Sequence, residues 1–318
     1  MKVLVFLELD EENIRKSSLE AVSYAANFAS QVTALVFGST SLEGLNSIGI
    51  AGANKVLQVT NDRFKQPNIM AFSSAIAEVV ALENAETLVL AKSSTGDSVA
   101  ARVSIKLGAS LVSNVTEVPD VSEGFKVKRS IYTGKAFAIT ELSASLKILS
   151  IRKNTVPIKT DGATPEIVIF TPQMDEADFV VKVLSSEKIT GQILLPEADI
   201  VVSGGRGLKG PENWGMIEDL AKALSAATGC SKPVSDMDWR PHHEHVGQTG
   251  IKVSPSLYVA VGISGAIQHL AGVNSSKYIL VINKDPEAPF FKAADYGIVG
   301  DAFDVVPKLT AAINAAKV

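Results

Sequence analysis

LYVAVGISGAIQHLAG, residues 257 to 272, passes without a break from a buried-strand pattern through a turn of small residues into a helical one. An apolar run that ends in Gly262, Ser264 and Gly265 and opens a helix reads as half of a βα unit. Such a turn leaves backbone N–H groups bare where they and the helix dipole attract anions. Phosphate is the simplest ligand for it. His269 lies five residues beyond Ser264, on the first turns of the same helix, and a phosphate cradle does not need an imidazole there. The expected ligand is therefore longer than a phosphate.

The surrounding sequence repeats the pattern. ADIVVSGGRG, YILVINKD and YGIVGD, like LYVAVGISG, close an apolar run with Gly, Ser, Asn or Asp. In an open α/β sheet, ligands sit at the carboxyl ends of the strands. Further upstream, KVLVFLEL, the amphipathic stretch Arg15 to Ser30, VTALVFG, Ala71 to Glu83 and ETLVLA again alternate strand and helix. Short apolar runs separated by helices predict a mainly parallel sheet flanked by helices. VKRSIYTG and KAFAIT, between Val112 and Ile151, predict an antiparallel hairpin-like excursion. ITGQILLPEAD, punctuated by Gly191 and Pro196, marks the domain boundary, with residues 1–189 forming one α/β domain and 190–318 a second, Rossmann-like one.

Composition narrows the class. The 318 residues are 46% hydrophobic with a net charge of -4, enough for two domains with real cores and too acidic for nucleic acid to be the main partner. Cys230 is the single cysteine, so no intrachain disulfide forms and a reducing, cytoplasmic setting is expected. The apolar run Val3 to Leu7 is too short for a signal peptide, and no stretch approaches the roughly 20 apolar residues of a membrane span.

Several motifs fail on inspection. Gly205, Gly207 and Gly210 satisfy G-x-G-x-x-G, but Pro211 follows at once and the expected acidic residue about 20 positions on is missing. A phosphate-facing loop carrying Arg206 is the better reading, because a guanidinium grips phosphate in a fork or lies flat on a ring. Gly262, Ser264 and Ala266 miss the last glycine of a nucleophile elbow, and His269 is too near to act as its base. His242, His243 and His245, in PHHEH, lack the spacing of a zinc helix and read as a solvated loop. Cys230 reads as structural. VGQTG, residues 246 to 250, sets Gln248 and Thr249 between glycines and offers donors to the edge of a heteroaromatic ring.

SGGRG, GCSKP, VGQTG, GISGAIQHLAG, INKDPEAP and ADYGIVGD, in this order, closely resemble the α-subunit family of electron transfer flavoproteins over Ala198 to Leu309. The N-terminal half matches that family only in length and βα character. The resemblance implies that the C-terminal domain holds FAD in extended form. It implies that Arg206, Ser231 and the turn Ser264–Gly265 meet the ribityl and pyrophosphate portion, that Thr249 lies near flavin N5, and that His269 faces the O2 edge. Asn283 and Asp301 would serve the ADP end, and Lys232, Val246, Gly247, Gln248, Ala266, Ile267, Gln268 and Ala302 complete the expected contacts. Where most members have Ser-Arg, this chain has Ser231 then Lys232.

The family also implies a heterodimer whose β-subunit completes the site and binds AMP, with the first domain as the partner interface. It implies an electron carrier that takes electrons from acyl-CoA and related dehydrogenases of fatty-acid β-oxidation and passes them to a membrane quinone oxidoreductase, without inserting in the membrane. No catalytic acid, base, nucleophile or metal is expected. Two readings stay open at this point: an FAD- or NAD-dependent enzyme with its own small substrate, and a nucleotide sensor without flavin.

Overall fold

Lys2–Leu7 (KVLVFL, β1) is buried on both faces, and its alternate side chains divide between two cores. Val3, Val5 and Leu7 enter one apolar cluster; Leu4 and Phe6 enter the other. That is the period-2 geometry of a strand covered by helices on both sides, and it explains why parallel strands read as unbroken apolar runs. In the computed structural model, which describes residues 1–134, 136–185, 194–196 and 198–317, the chain divides into two compact units, Met1–Ser186 and Glu187–Val318. The boundary expected between residues 189 and 190 lies outside the described residues.

The first unit carries a sheet whose described strands are β1, Gln31–Phe37 (β2), Lys55–Val59 (β3), Thr87–Ala91 (β4), Ser110–Val115 (β5), Lys126–Ile131 (β6), Ala136–Glu141 (β7), Lys147–Ile151 (β8) and Glu166–Ile169 (β9). Their order is β9-β3-β2-β1-β4-β8-β5-β6-β7. All neighbours are parallel except β5–β6 and β6–β7, so the predicted hairpin is present at one edge. Helices Lys16–Ala25 (α1), Leu42–Ile50 (α2), Ile69–Glu83 (α3) and Ser94–Leu107 (α4) connect the parallel strands. The helix expected from Arg15 to Ser30 is shorter, ending at Ala25.

The second unit holds Ile200–Gly204 (β10), Ala227–Cys230 (β11), Leu257–Val261 (β12), Tyr278–Asn283 (β13) and Tyr296–Val299 (β14), all parallel. Their order is β11-β10-β12-β13-β14. Helices Gly215–Leu224 (α5), Lys232–Asp236 (α6), Ile267–Val273 (α7) and Ala302–Ala316 (α8) follow β10, β11, β12 and β14. In strand order this is 2-1-3-4-5, whose winding reverses between the first and third strands, and ligands bind at that reversal. Here it lies between β10 and β12, where the Gly205 and Gly262 loops begin. Among the described residues no helix is long and apolar enough to cross a membrane.

Candidate functional site

The two loops at the reversal touch through backbone. Gly205 N–H donates to Val261 O at 2.8 Å and Gly207 N–H to Gly262 O at 3.0 Å. A Cβ on Gly205 would stand 2.3 Å from Gly262 O and one on Gly207 2.8 Å from Gly262 Cα, so these two glycines of GGRGLKG let the loops pack against each other. Gly262 N–H is likewise spent, on Ile282 O at 2.9 Å. That corrects the expectation of bare amides from Gly262 onward, because the ladder with β13 carries one bond past the end of β12.

The bare groups lie beyond Gly262. Among the described residues, the backbone N–H groups from Ser264 through Gln268 have no acceptor, and Ala266, the residue before α7, provides no side-chain cap. Some helices are closed off by side chains, among them α4, where Ser93 Oγ takes the Gly96 N–H at 2.7 Å, and α8, where Asp301 Oδ1 takes that of Phe303 at 3.0 Å, whereas α1, α5 and α6 start, like α7, without a side-chain cap. Ser264, Ala266, Ile267 and Gln268 are exposed, so this uncapped end opens to solvent. Gly265 makes the turn at φ +84, with its Cα side against the Phe290 backbone, and Phe290 N–H donates to Ser264 O at 3.1 Å.

His269 points the other way. It is 6% exposed; its Nε2 shares a hydrogen bond of 2.9 Å with Tyr258 Oη, and its Nδ1 is buried without a partner of ordinary geometry. Burial, with a smaller push from the neighbouring His245, lowers its pKa to about 4, while the Val246 backbone opposes them. The native ring is therefore neutral at pH 7.

Val246 to Thr249 run alongside α7, tied by Gln248 N–H to Gln268 O at 2.7 Å. Thr249 and Gln248 are exposed, Val246 and Gly247 buried. Ser231, 5% exposed, stands just before α6, and Lys232 points outward to Asp236 at 3.4 Å. Arg206 is exposed on the turn after β10 and makes no ion pair among the described residues. Asn283 donates to Ile263 O and accepts from Asp285 N–H, both at 3.0 Å, so it braces the turn before α7. With Asp301 and Ala302 it lines a cavity of about 40 Å³ that also includes Lys209 and Lys284. That is far below the roughly 300–1,000 Å³ of a drug-sized ligand site.

All the candidate residues thus lie in the second unit, in loops and helix starts that follow its parallel strands. PHHEH keeps its solvated reading at His242 and His243, which are exposed, and loses it at the two residues that follow. Glu244 and His245 are 4% and 2% exposed, and Glu244 accepts from Arg240 Nη2 at 2.6 Å and Nε at 2.9 Å. The four-residue spacing of Arg240 and Glu244, outside any α-helix, was the available signal. Cys230 is buried, and burial pushes its thiol up to about 12, which keeps it inert.

Against known proteins, residues 194–274 match the electron transfer flavoprotein FAD-binding domain and residues 3–174 the electron transfer flavoprotein domain. The chain belongs to the electron transfer flavoprotein α-subunit family. It is 38% identical to the electron transfer flavoprotein subunit alpha of Syntrophomonas wolfei, over 98% of each chain. It is 33% identical to that of Bacillus subtilis, over 97% of this chain and 96% of the other. A probable mitochondrial subunit alpha of Caenorhabditis elegans is 36% identical over 98% of this chain and 93% of its own length. The family thus spans both units, including the first, where the sequence alone offered no specific motif.

Two features of the second unit fit the family's FAD. An open run of unpaired N–H groups suits its anionic diphosphate, and an orphaned buried imidazole nitrogen suits a polar ring edge.

Proposed function

We propose that this chain is the α-subunit of a heterodimeric electron transfer flavoprotein, a carrier that binds FAD and has no small-molecule substrate of its own. The observation that supports this most is the uncapped, exposed N–H run from Ser264 to Gln268 at the winding reversal of the sheet.

In this reading Arg206, Ser231 and the Ser264–Gly265 turn hold the ribityl and pyrophosphate portion. Thr249 and His269 meet the ring, and Asn283, Asp301 and Ala302 serve the ADP end. FAD supplies the electron-accepting chemistry when bound. The chain contributes position and electrostatics. Backbone N–H groups compensate the diphosphate without needing a proton transfer, and the exposed cations Arg206, Lys209 and Lys284 add to the field there. Lys232 and the remaining residues of the Val246–Gln268 set shape the ring pocket.

The β-subunit completes the site and carries AMP, and the first unit supplies the interface to it. Electrons come from acyl-CoA and related dehydrogenases of β-oxidation and go to a membrane quinone oxidoreductase, with the carrier itself cytoplasmic. Coexpression with the β-subunit tests the reading. A yellow complex that an acyl-CoA dehydrogenase reduces in the presence of its substrate is expected. A flavin-free complex, or one that turns over a small molecule unaided, would overturn it.

A further inference from the structure

Tyr258, in the middle of β12, is wholly buried, and its hydroxyl stands 2.9 Å from His269 Nε2. Ser203 on the neighbouring β10 is also wholly buried. Its Oγ bears on the ionisation of the phenol but forms no hydrogen bond of ordinary geometry. The phenol therefore has one well-placed partner. A phenol has one proton to give, and a neutral imidazole has one nitrogen that can accept it.

Burial keeps both groups uncharged. Two arrangements remain. With the ring proton on Nε2, Tyr258 would accept it, its own proton would be left facing the poorly aligned Ser203, and Nδ1 would be a bare lone pair in the interior. With Tyr258 as donor, the phenol and Nε2 satisfy each other, and Nδ1 carries the proton beside the Val246 backbone, which favours a proton on the ring. The first arrangement leaves two needs unmet and the second at most one, and each unmet buried polar group is costly.

We propose that Tyr258 is a positioning residue that donates to His269 Nε2, fixes the ring in its Nδ1–H form, and so makes Nδ1–H the donor this chain offers to a carbonyl of the flavin. The role toward flavin rests on the FAD-binding reading above; the tautomer does not. A donor fixed before the electron arrives costs no reorientation and favours the form in which that carbonyl is richest in electrons.

The test is nitrogen NMR on the full chain labelled in its four histidines and assembled with the β-subunit, with FAD added as the probe. In the wild type, His269 Nδ1 should read as a protonated nitrogen and Nε2 as an unprotonated one. Tyr258→Phe should shift the tautomer ratio about fivefold or more toward a mixture, and lower the FAD reduction potential while FAD still binds. A wild-type ring protonated at Nε2 overturns the proposal, and that measurement needs no variant to fold. An unchanged ratio and potential in Tyr258→Phe overturns the positioning role. A wild-type complex that shows the Nδ1–H ring but takes up no FAD overturns the FAD reading and the proposed role toward flavin, while leaving the tautomer assignment supported.

Discussion

The backbone N–H of Gln248 donates to the carbonyl oxygen of Gln268 at 2.7 Å. Beside that bond, a Cβ on Gly272 would stand 2.6 Å from Gly247 Cα, so the VGQTG loop and α7 meet backbone to backbone with no side chain between them. Thr249 and the open N–H run of α7 are thereby held as one piece.

Gly272→Ala forces that contact apart. Overpacking of this kind costs about 1–3 kcal/mol. The variant should unfold at lower temperature and release FAD faster from the assembled complex. Gly215→Ala is the control, since a Cβ there meets nothing within 4 Å, and it should hold or gain stability. Equal melting curves for Gly272→Ala and wild type would show that the contact is loose.

The Arg240–Glu244 pair anchors the start of the same loop. Glu244 is 4% exposed and accepts two hydrogen bonds from one guanidinium, so Glu244→Ala leaves Arg240 without its buried partner. Breaking a buried pair from one side costs about 3–5 kcal/mol, but Arg240 is part-exposed and keeps Glu218 Oε1 at 3.1 Å from its Nη1, so this loss falls below that range. Urea unfolding should show the midpoint falling with an unchanged slope. A loss below about 0.5 kcal/mol would put the pair among ordinary surface contacts.

His269 makes stability depend on pH. Its pKa falls from 6.5 to about 4 on folding, mainly through burial, so the unfolded chain binds a proton that the native ring refuses. The stabilisation is complete above pH 6.5 and is lost as pH drops through about 4. At about 1.36 kcal/mol per pKa unit, the shift is worth about 3 kcal/mol at the foot of that window. His269→Gln should flatten the fall between those values. Part of the slope will persist, because burial also lowers the pKa of His245. Unfolding free energies measured at stepped pH decide it, and parallel curves would contradict the assignment.

The strands were legible because a residue covered on both faces must be apolar at every position, as in KVLVFL. Their order was not. Nothing in KILSI says that Lys147–Ile151 inserts between Thr87–Ala91 and Ser110–Val115, since any parallel strand with the same pattern would fill that place. The site loops showed themselves through small residues at strand ends. Tyr258 did not, because within LYVAV it reads as one more apolar strand position, and its hydroxyl acquires a role only where α7 brings back His269. Glu244 was hidden for a similar reason: among histidines it looks solvated, and only Arg240 packed against it makes its burial tolerable.

Lys232 stands where the resemblance led to the expectation of an arginine, and its surroundings sharpen what it can do. Its ammonium stands 3.4 Å from Asp236 Oδ1, with the two side chains 58% and 55% exposed. An exposed pair one helical turn apart is worth about 0.3–0.5 kcal/mol, so Lys232→Ala should leave the stability of the chain nearly unchanged. Its effect should appear in the reduction potential of the FAD-loaded complex. Lysine is a compact, hydrated point charge, and a guanidinium spreads its charge over a plane that stacks on rings. Lys232→Arg should bind FAD at least as tightly and hold or raise the potential, while Lys232→Ala should lower it without abolishing binding. Asp236→Asn removes the competing carboxylate and should raise it. A redox-dye titration of all four proteins at one pH and salt reads these shifts, where about 59 mV is a tenfold change for one electron. Identical midpoints would confine the lysine to its surface pair with Asp236.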